Sequence, residues 1–392
     1  MKNNMSAYGG SAIGGKNKIL ENLIYLILLL LPTYLIRFTI LNIPFTLLEI
    51  FILILFLLFL IKFKTKFSLG SAKYIIFSFI IISIISCITS ADIIRAIGLW
   101  KAYVIEPIMF FIIIINVKPS FHKILTSLGL SAIFISLIGV VQYSTGYGIP
   151  APWNIIGGEY RITSVFEYPN AVGLYLAPIM ALFFGNIIKI KRNIYFSLVV
   201  LLLSLSAVLW SQTQGAWLAV IVSFIFLGFF TKYRKFFIAS LVIGMIILFA
   251  IPGFRTMIML QDTSGDVRLT LWHGTINLLT HRPFFGAGLG SFPEIYEQYK
   301  MAKHTELLLY AHNIFLDFWV QFGILGLIWL IWLLIKFFYQ NFKNLTPTTI
   351  SIMAAMVAIL IYGLVDVPYF KNDLSVLFWT ILGLAEIHKI SN

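Results

Sequence analysis

Arg161, Arg255, Arg268 and Arg282, with His281, His304 and His312, fall in the two long polar stretches of an otherwise apolar chain. The larger stretch runs from 253 to 312 and also holds Asp262, Asp266, Glu294, Glu297, Lys300, Lys303 and Glu306; the smaller runs from 142 to 169. A guanidinium is a planar, permanently charged fork that suits carboxylate or phosphate oxygens, so arginines kept here point to an anionic ligand. The alternative for each is snorkelling to lipid phosphates. The histidines show no H-E-x-x-H or comparable ligand spacing, and neither loop carries an Asp-x-Asp pair. A metal site would have to be assembled from dispersed positions, so neither metal nor cofactor is expected.

The elements that must position these groups follow from composition. With 60% hydrophobic and 11% charged residues and a mean hydropathy of +0.96, the chain lies in the range of polytopic membrane proteins. The net charge of +13 raises the question of nucleic acid, but that reading needs a basic face, and here Lys and Arg only punctuate apolar runs. No nucleic-acid partner is expected. The single cysteine, Cys87, lies inside an apolar run and excludes an intrachain disulfide.

A bilayer core takes about 20 apolar residues per helix, which predicts an all-α protein of twelve spans. Residues 1–18 read as a disordered cytoplasmic tail, 19–252 as helices 1 to 9 with an outer loop at 142–169, 253–312 as a large extracytoplasmic loop, and 313–392 as helices 10 to 12. The first run contains Pro32 and is followed by Arg37 rather than a small-residue cleavage site, so it is kept as a span. Lys62 to Lys73, Lys118 and Lys123, Lys189 to Arg192, Lys232 to Lys235, and Lys336 and Lys343 all fall in alternate connections. The positive-inside rule makes those connections and both termini cytoplasmic, and places both polar loops outside.

Within the large loop, Asp266 to Leu279 reads as an amphipathic interfacial helix, capped at Ser264 or Asp266, with Trp272 at headgroup depth. Arg268, Trp272, Thr275 and Leu279 would share one face, setting the guanidinium beside the indole. The Gly286, Gly288, Gly290 spacing lacks a preceding strand, and flexible loop glycines are expected there rather than a nucleotide loop. Glu106 is an ionisable group at membrane depth and so a functional candidate; it could instead form a structural ion pair with Lys101 or Arg95, which flank the entry to the fourth span. Gln212 and Gln214 either face an outer cavity or sit in a solvated turn. Asp317, five residues after His312, could orient a neighbouring group.

The segment His312-Asn313-Ile314-Phe315-Leu316, with Gly323 following, Arg268 in DVRLTLW and the run HRPFFGAGLGSF, resembles the signature of the O-antigen ligase and polymerase superfamily. Arg161 in RITSVFEYPNAVG, with Pro169-Asn170 opening a span, resembles that family's other outer-loop motif. The sequence departs where some lipopolysaccharide ligases carry a Thr pair; here stands Ile324-Leu325-Gly326-Leu327. The ligase, the polymerase and the protein O-oligosaccharyltransferase branches all remain open.

The resemblance implies a fold like that of metal-independent, GT-C-like membrane glycosyltransferases, in the cytoplasmic (inner) membrane with its active site facing the periplasm. It implies transfer of a glycan from undecaprenyl pyrophosphate to an acceptor hydroxyl, on lipid A core, glycan or protein, in lipopolysaccharide or other surface polysaccharide biosynthesis. In that reaction Arg161 and Arg268 would compensate the charge on the leaving diphosphate. His312 would take the acceptor's proton. Asn313, Trp272, Gln214, Arg95, Lys101 and Glu106 would bind substrate. The reading from a different class is a lipid-linked glycan flippase, for which internal repeats would be expected and none is evident.

Overall fold

The computed structural model describes residues 18–40, 43–64, 66–154, 160–250, 262–302 and 308–390. The expected N-terminal tail up to Asn17, Arg255, Lys303, His304 and Glu306 lie outside the described residues. Among the described residues the regular structure is helical apart from one short hairpin. In order come α1 (Lys18–Leu29), β1 (Arg37–Ile40) paired antiparallel with β2 (Ile43–Thr46), α2 (Leu47–Phe63), α3 (Lys73–Ile88), α4 (Ile93–Trp100), α5 (Glu106–Val117), α6 (Phe121–Thr145), α7 (Pro169–Gly185), α8 (Ile194–Trp210), α9 (Gln214–Phe229) and α10 (Arg234–Ala250). Then follow α11 (Thr263–His281), the short α12 (Phe292–Tyr296), α13 (Ile314–Lys343), α14 (Pro347–Gly363) and α15 (Asn372–Ile390).

Long apolar helices are what a bilayer permits, because the helix satisfies its own backbone where no water can. By length and composition, five described helical stretches can cross a membrane: Gly70–Ile88, Ile93–Val117, Phe121–Thr145, Pro169–Ile190 and Ile314–Lys343. Ile194–Trp210, Gln214–Phe229 and Pro347–Gly363 are shorter apolar helices. The chain is therefore a polytopic membrane protein. Within Ile93–Val117 the helix is continuous, α4 and α5 being joined by a π-helical turn, Lys101–Ile105. Pro107, which has no N–H to donate, lies just beyond that wide turn.

At the centre stands α7, buried along nearly its whole length and packed against α9 and α14. Small residues allow the approach: a Cβ at Gly173 would lie 2.5 Å from Ala216, and one at Gly185 would collide with Ser351. At one end of the bundle the Lys-rich connections are tied together, with Lys336 donating to the Ser71 carbonyl (2.6 Å) and Glu386 accepting from the Ser71 N–H (3.0 Å) and pairing with Lys389 (2.6 Å). The hairpin, the polar loops and the 364–371 connection lie at the other.

The glycine run is not a flexible loop. Gly323, at φ +70°, breaks α13, and the 283–291 segment meets the break: Ala287 N–H donates to the Val320 carbonyl (2.8 Å) and Ile324 N–H to the Phe284 carbonyl (3.3 Å). Backbone groups freed inside the bundle thus find partners in the loop. Gly286, Gly288 and Gly290 all have positive φ, and a Cβ at Gly288 would stand 2.7 Å from the Ser90 Cα. The spacing reflects close backbone approach. Ser291 completes the junction, its hydroxyl accepting from Ala91 N–H (2.9 Å) and meeting Ser90 Oγ at 2.7 Å.

Candidate active site

Arg268 is placed by α11, whose N-cap is Asp262, accepting from Gly265 N–H (3.1 Å), rather than Ser264 or Asp266. Leu271, Thr275, Leu278 and Leu279 are buried, so the helix turns its apolar face into the protein and packs on α13. The guanidinium is not held by the Trp272 ring as the shared face suggested. Its Nε donates to the Val365 carbonyl (3.0 Å) and Nη1 to Ser264 Oγ (2.7 Å). Trp272 instead donates its indole N–H to the Ala311 carbonyl (3.0 Å).

That bond is one of several that grip the backbone around His312. Asn313 caps α13, its Oδ1 accepting from the N–H groups of Phe315 (3.0 Å) and Leu316 (3.2 Å), and its Nδ2 donates to the Leu364 carbonyl (3.0 Å). Asp317 accepts from Ala311 N–H (2.7 Å) and Asn313 N–H (3.3 Å). Between these anchors His312 sits at φ +50°, a left-handed conformation uncommon for a residue other than glycine and sustained only where the surroundings impose it. Asp317 thus holds the backbone on both sides of His312.

The imidazole Nδ1 lies 3.2 Å from Asp366 Oδ1. Asp366 also accepts from Val367 N–H on Oδ1 (2.8 Å) and from Asn170 Nδ2 on Oδ2 (2.6 Å), while the Asn170 carbonyl accepts from the Tyr362 hydroxyl (3.0 Å). Burial pushes His312 down, but the hydrogen bond and charge of Asp366, with Asp317, outweigh it and leave the imidazole above its ordinary value. Burial raises Asp366, and His312 more than reverses that, holding it below the usual carboxylate value. The His312 side chain keeps 26% of its surface open against 2% for Asp366, so the ring is reachable and its partner is not.

Arg161 completes the cluster. Its Nε donates to the Ser211 carbonyl (3.1 Å) and Nη2 to the Gln212 carbonyl (3.4 Å), and the guanidinium lies 5.0 Å from the Trp153 ring centroid. Burial pushes its pKa down, and the charge of Arg268 pushes the same way. Among the described residues neither arginine has a carboxylate within ion-pair distance. Each is anchored through Nε to a main-chain carbonyl and keeps donors of its five-donor fork for a ligand.

The other expected binding residues are more dispersed. Gln214 stands exposed at the start of α9, and it is the Gln212 backbone that meets Arg161. Neither basic residue pairs with Glu106: Arg95 pairs with Glu294 (3.0 Å) and Lys101 with Glu49 (2.8 Å). Glu106 is fully buried and accepts from Asn372 Nδ2 (3.0 Å). His281 is exposed on α11, its Nδ1 2.9 Å from the Asn277 carbonyl. Sequence reasoning missed Asp366; the available signal was an acidic residue in a short connection between two apolar runs.

Residues 172–331 match the family model for O-Antigen ligase. Over that segment the chain is similar to the O-antigen ligase family. No curated protein sequence matches the chain. The O-antigen ligase segment contains Arg268, His312 and Asn313, while Arg161 and Asp366 flank it on either side. The match supports an O-antigen ligase or polymerase type of function in surface polysaccharide biosynthesis.

Proposed function

We propose that this protein transfers a glycan from a polyprenyl diphosphate, undecaprenyl pyrophosphate in a bacterial membrane, to an acceptor hydroxyl at the outer face of the cytoplasmic membrane. In this reading the bundle makes twelve crossings with both termini cytoplasmic, and the end carrying Arg161, Arg268 and His312 faces outward in a GT-C-like arrangement. The observation that carries the proposal is the His312–Asp366 pair (3.2 Å) beside two arginines held by main-chain carbonyls, Arg268 bonded to the residue preceding Asp366.

In the reaction the acceptor oxygen forms a bond to the anomeric carbon. The bond from that carbon to the diphosphate oxygen breaks, its electron pair leaving on the diphosphate. Arg161 and Arg268 stabilise the charge growing there, a form of preorganised electrostatics that is usually the largest catalytic contribution. Neutral His312 takes the hydroxyl proton on Nε2, because Nδ1 faces Asp366, and Asp366 stabilises the imidazolium that forms. Lipid A core, another glycan and a protein hydroxyl are the acceptor classes in play.

Purified protein, given a synthetic polyprenyl diphosphate glycan and each acceptor class in turn, tests the reading. Covalent product and released polyprenyl diphosphate are expected, and the product identifies ligation, polymerisation or protein glycosylation. Movement of the intact donor across liposomes without product would replace the enzyme with a transporter.

A further inference from the structure

Next to the His312 cluster, at the same end of the bundle, opens a separate cavity of about 880 Å³. Its wall includes Arg37 beside the hairpin's Phe45, Lys101 and Tyr103 of the wide turn, Tyr168 and Lys371. Arg161, Arg268 and His312 do not line it. The wall is largely apolar and aromatic, yet Arg37, Arg95, Lys101 and Lys371 bring four cations to it, against three carboxylates, Glu49, Asp92 and Glu167.

Two of these charges are already answered. Arg95 pairs with Glu294 (3.0 Å), and Lys101 with Glu49 (2.8 Å). Among the described residues, Arg37 and Lys371 have no carboxylate within ion-pair distance; the Lys371 ammonium instead stands 4.0 Å from the Tyr168 ring centroid. Burial pushes Lys371 below the usual ammonium value; Asp373, Asp366 and Glu167 oppose this from longer range, and Arg37 is near enough to add to it. Two cations that no wall carboxylate reaches, Glu167 included, in one amphipathic chamber call for an anion carried on an apolar body.

The chamber shares a wall with the candidate active site. Lys371 follows Asp366 in the same connection, and Tyr168 precedes Asn170, which donates to Asp366. A ligand held by Lys371 therefore lies next to the groups that position His312. Because Arg161 and Arg268 do not line the chamber, the donor's diphosphate and a second phosphate need not compete.

We propose that this cavity holds the acceptor, and that Arg37 and Lys371 bind a phosphate group carried on the acceptor's lipid. The word acceptor rests on the transferase reading above; the anion site stands without it.

Calorimetric titration of the full-length protein in phosphatidylcholine nanodiscs with dihexanoyl phosphatidic acid tests the site, with inorganic phosphate as the free-anion arm. Two classes of phosphatidic acid site are expected, one lost in the Arg37→Gln/Lys371→Gln double variant and the other in Arg161→Gln/Arg268→Gln. Inorganic phosphate should bind at least about tenfold more weakly, since it lacks the apolar body. The charge-preserving pair Arg37→Lys/Lys371→Arg should restore binding, which separates lost charge from lost folding. Unchanged binding in the first double variant overturns the site, and equal affinity for inorganic phosphate overturns its assignment to a lipid. In the transfer reaction the same double variant should raise the acceptor KM at least about tenfold while the donor KM stays within about twofold; a rise in the donor KM instead would overturn the acceptor assignment. A protein that catalyses no transfer removes the transferase reading, and the titration still decides the cavity.

Discussion

The Nδ1 of His312 and the Oδ1 of Asp366 lie 3.2 Å apart across 54 positions of sequence, one at the end of the large polar loop and the other in the connection before the last helix. The contact fixes which imidazole nitrogen faces the carboxylate, leaving Nε2 for a substrate. It also sets a pH dependence. Only neutral imidazole accepts a proton, and Asp366 keeps His312 protonated to higher pH than the ordinary 6.5, so activity should rise with pH along an acidic limb centred above that value. In Asp366→Asn the negative charge is gone and burial remains, which favours neutral imidazole. The limb should move to lower pH while the plateau of kcat falls by about 10²-fold. An unmoved limb in a pH profile of the variant would contradict the coupling.

The arginines are expected to act as forks and not as point charges. Arg268→Lys keeps the charge but cannot both hold the Val365 carbonyl through a directed Nε and present a planar pair of donors to a diphosphate. A fall in kcat/KM of about 10²-fold is expected, read from initial rates at limiting donor. Arg161→Lys should behave alike, with the added loss of its stacking on Trp153. Wild-type rates in both variants would exclude bidentate recognition.

Trp272 should influence the chemistry without touching substrate. Its indole N–H holds the Ala311 carbonyl (3.0 Å), so Trp272→Phe releases one anchor of the strained His312 backbone. Such a hydrogen bond contributes roughly 1 kcal/mol, so kcat should fall a few-fold to about tenfold with the donor KM unchanged. A change in donor KM alone would make Trp272 a substrate contact instead.

Much of this was legible in the sequence, for identifiable reasons. Arg161, Arg268 and His312 stand out because they fall in polar stretches that break the apolar runs, and the family resemblance joined them in one order. Asp366 did not stand out, because a single carboxylate between two apolar runs has no local pattern and its partners, His312 and Asn170, are brought to it only by helix packing. The same limit governed α11: its spacing revealed two faces but not that the apolar one packs on α13. It governed the glycines too, since Gly286 and Gly288 are explained by backbone from α13 and the Ser90 turn, far away in sequence.

Gly288 and Gly148 make a matched pair that tests the packing account. Both have positive φ, +83° and +75°, but a Cβ at Gly288 would lie 2.7 Å from the Ser90 Cα, whereas one at Gly148 would meet nothing within 4 Å. Gly148→Ala should cost only the left-handed penalty of about 1–2 kcal/mol. Gly288→Ala must also displace backbone, so its thermal unfolding in detergent should be lowered clearly further. Equal shifts would mean that the junction with Ser90 contributes little.

The central claim is that His312 and the two arginines perform the transfer themselves. Its most direct measurement is product formation from a synthetic undecaprenyl pyrophosphate glycan by purified wild-type, His312→Ala and Arg268→Ala proteins, each treated with EDTA and checked for unaltered thermal unfolding. The account predicts product from the wild type and a loss of at least about 10²-fold in kcat for each variant. Variants that turn over at the wild-type rate, or a wild type that EDTA silences, would contradict it.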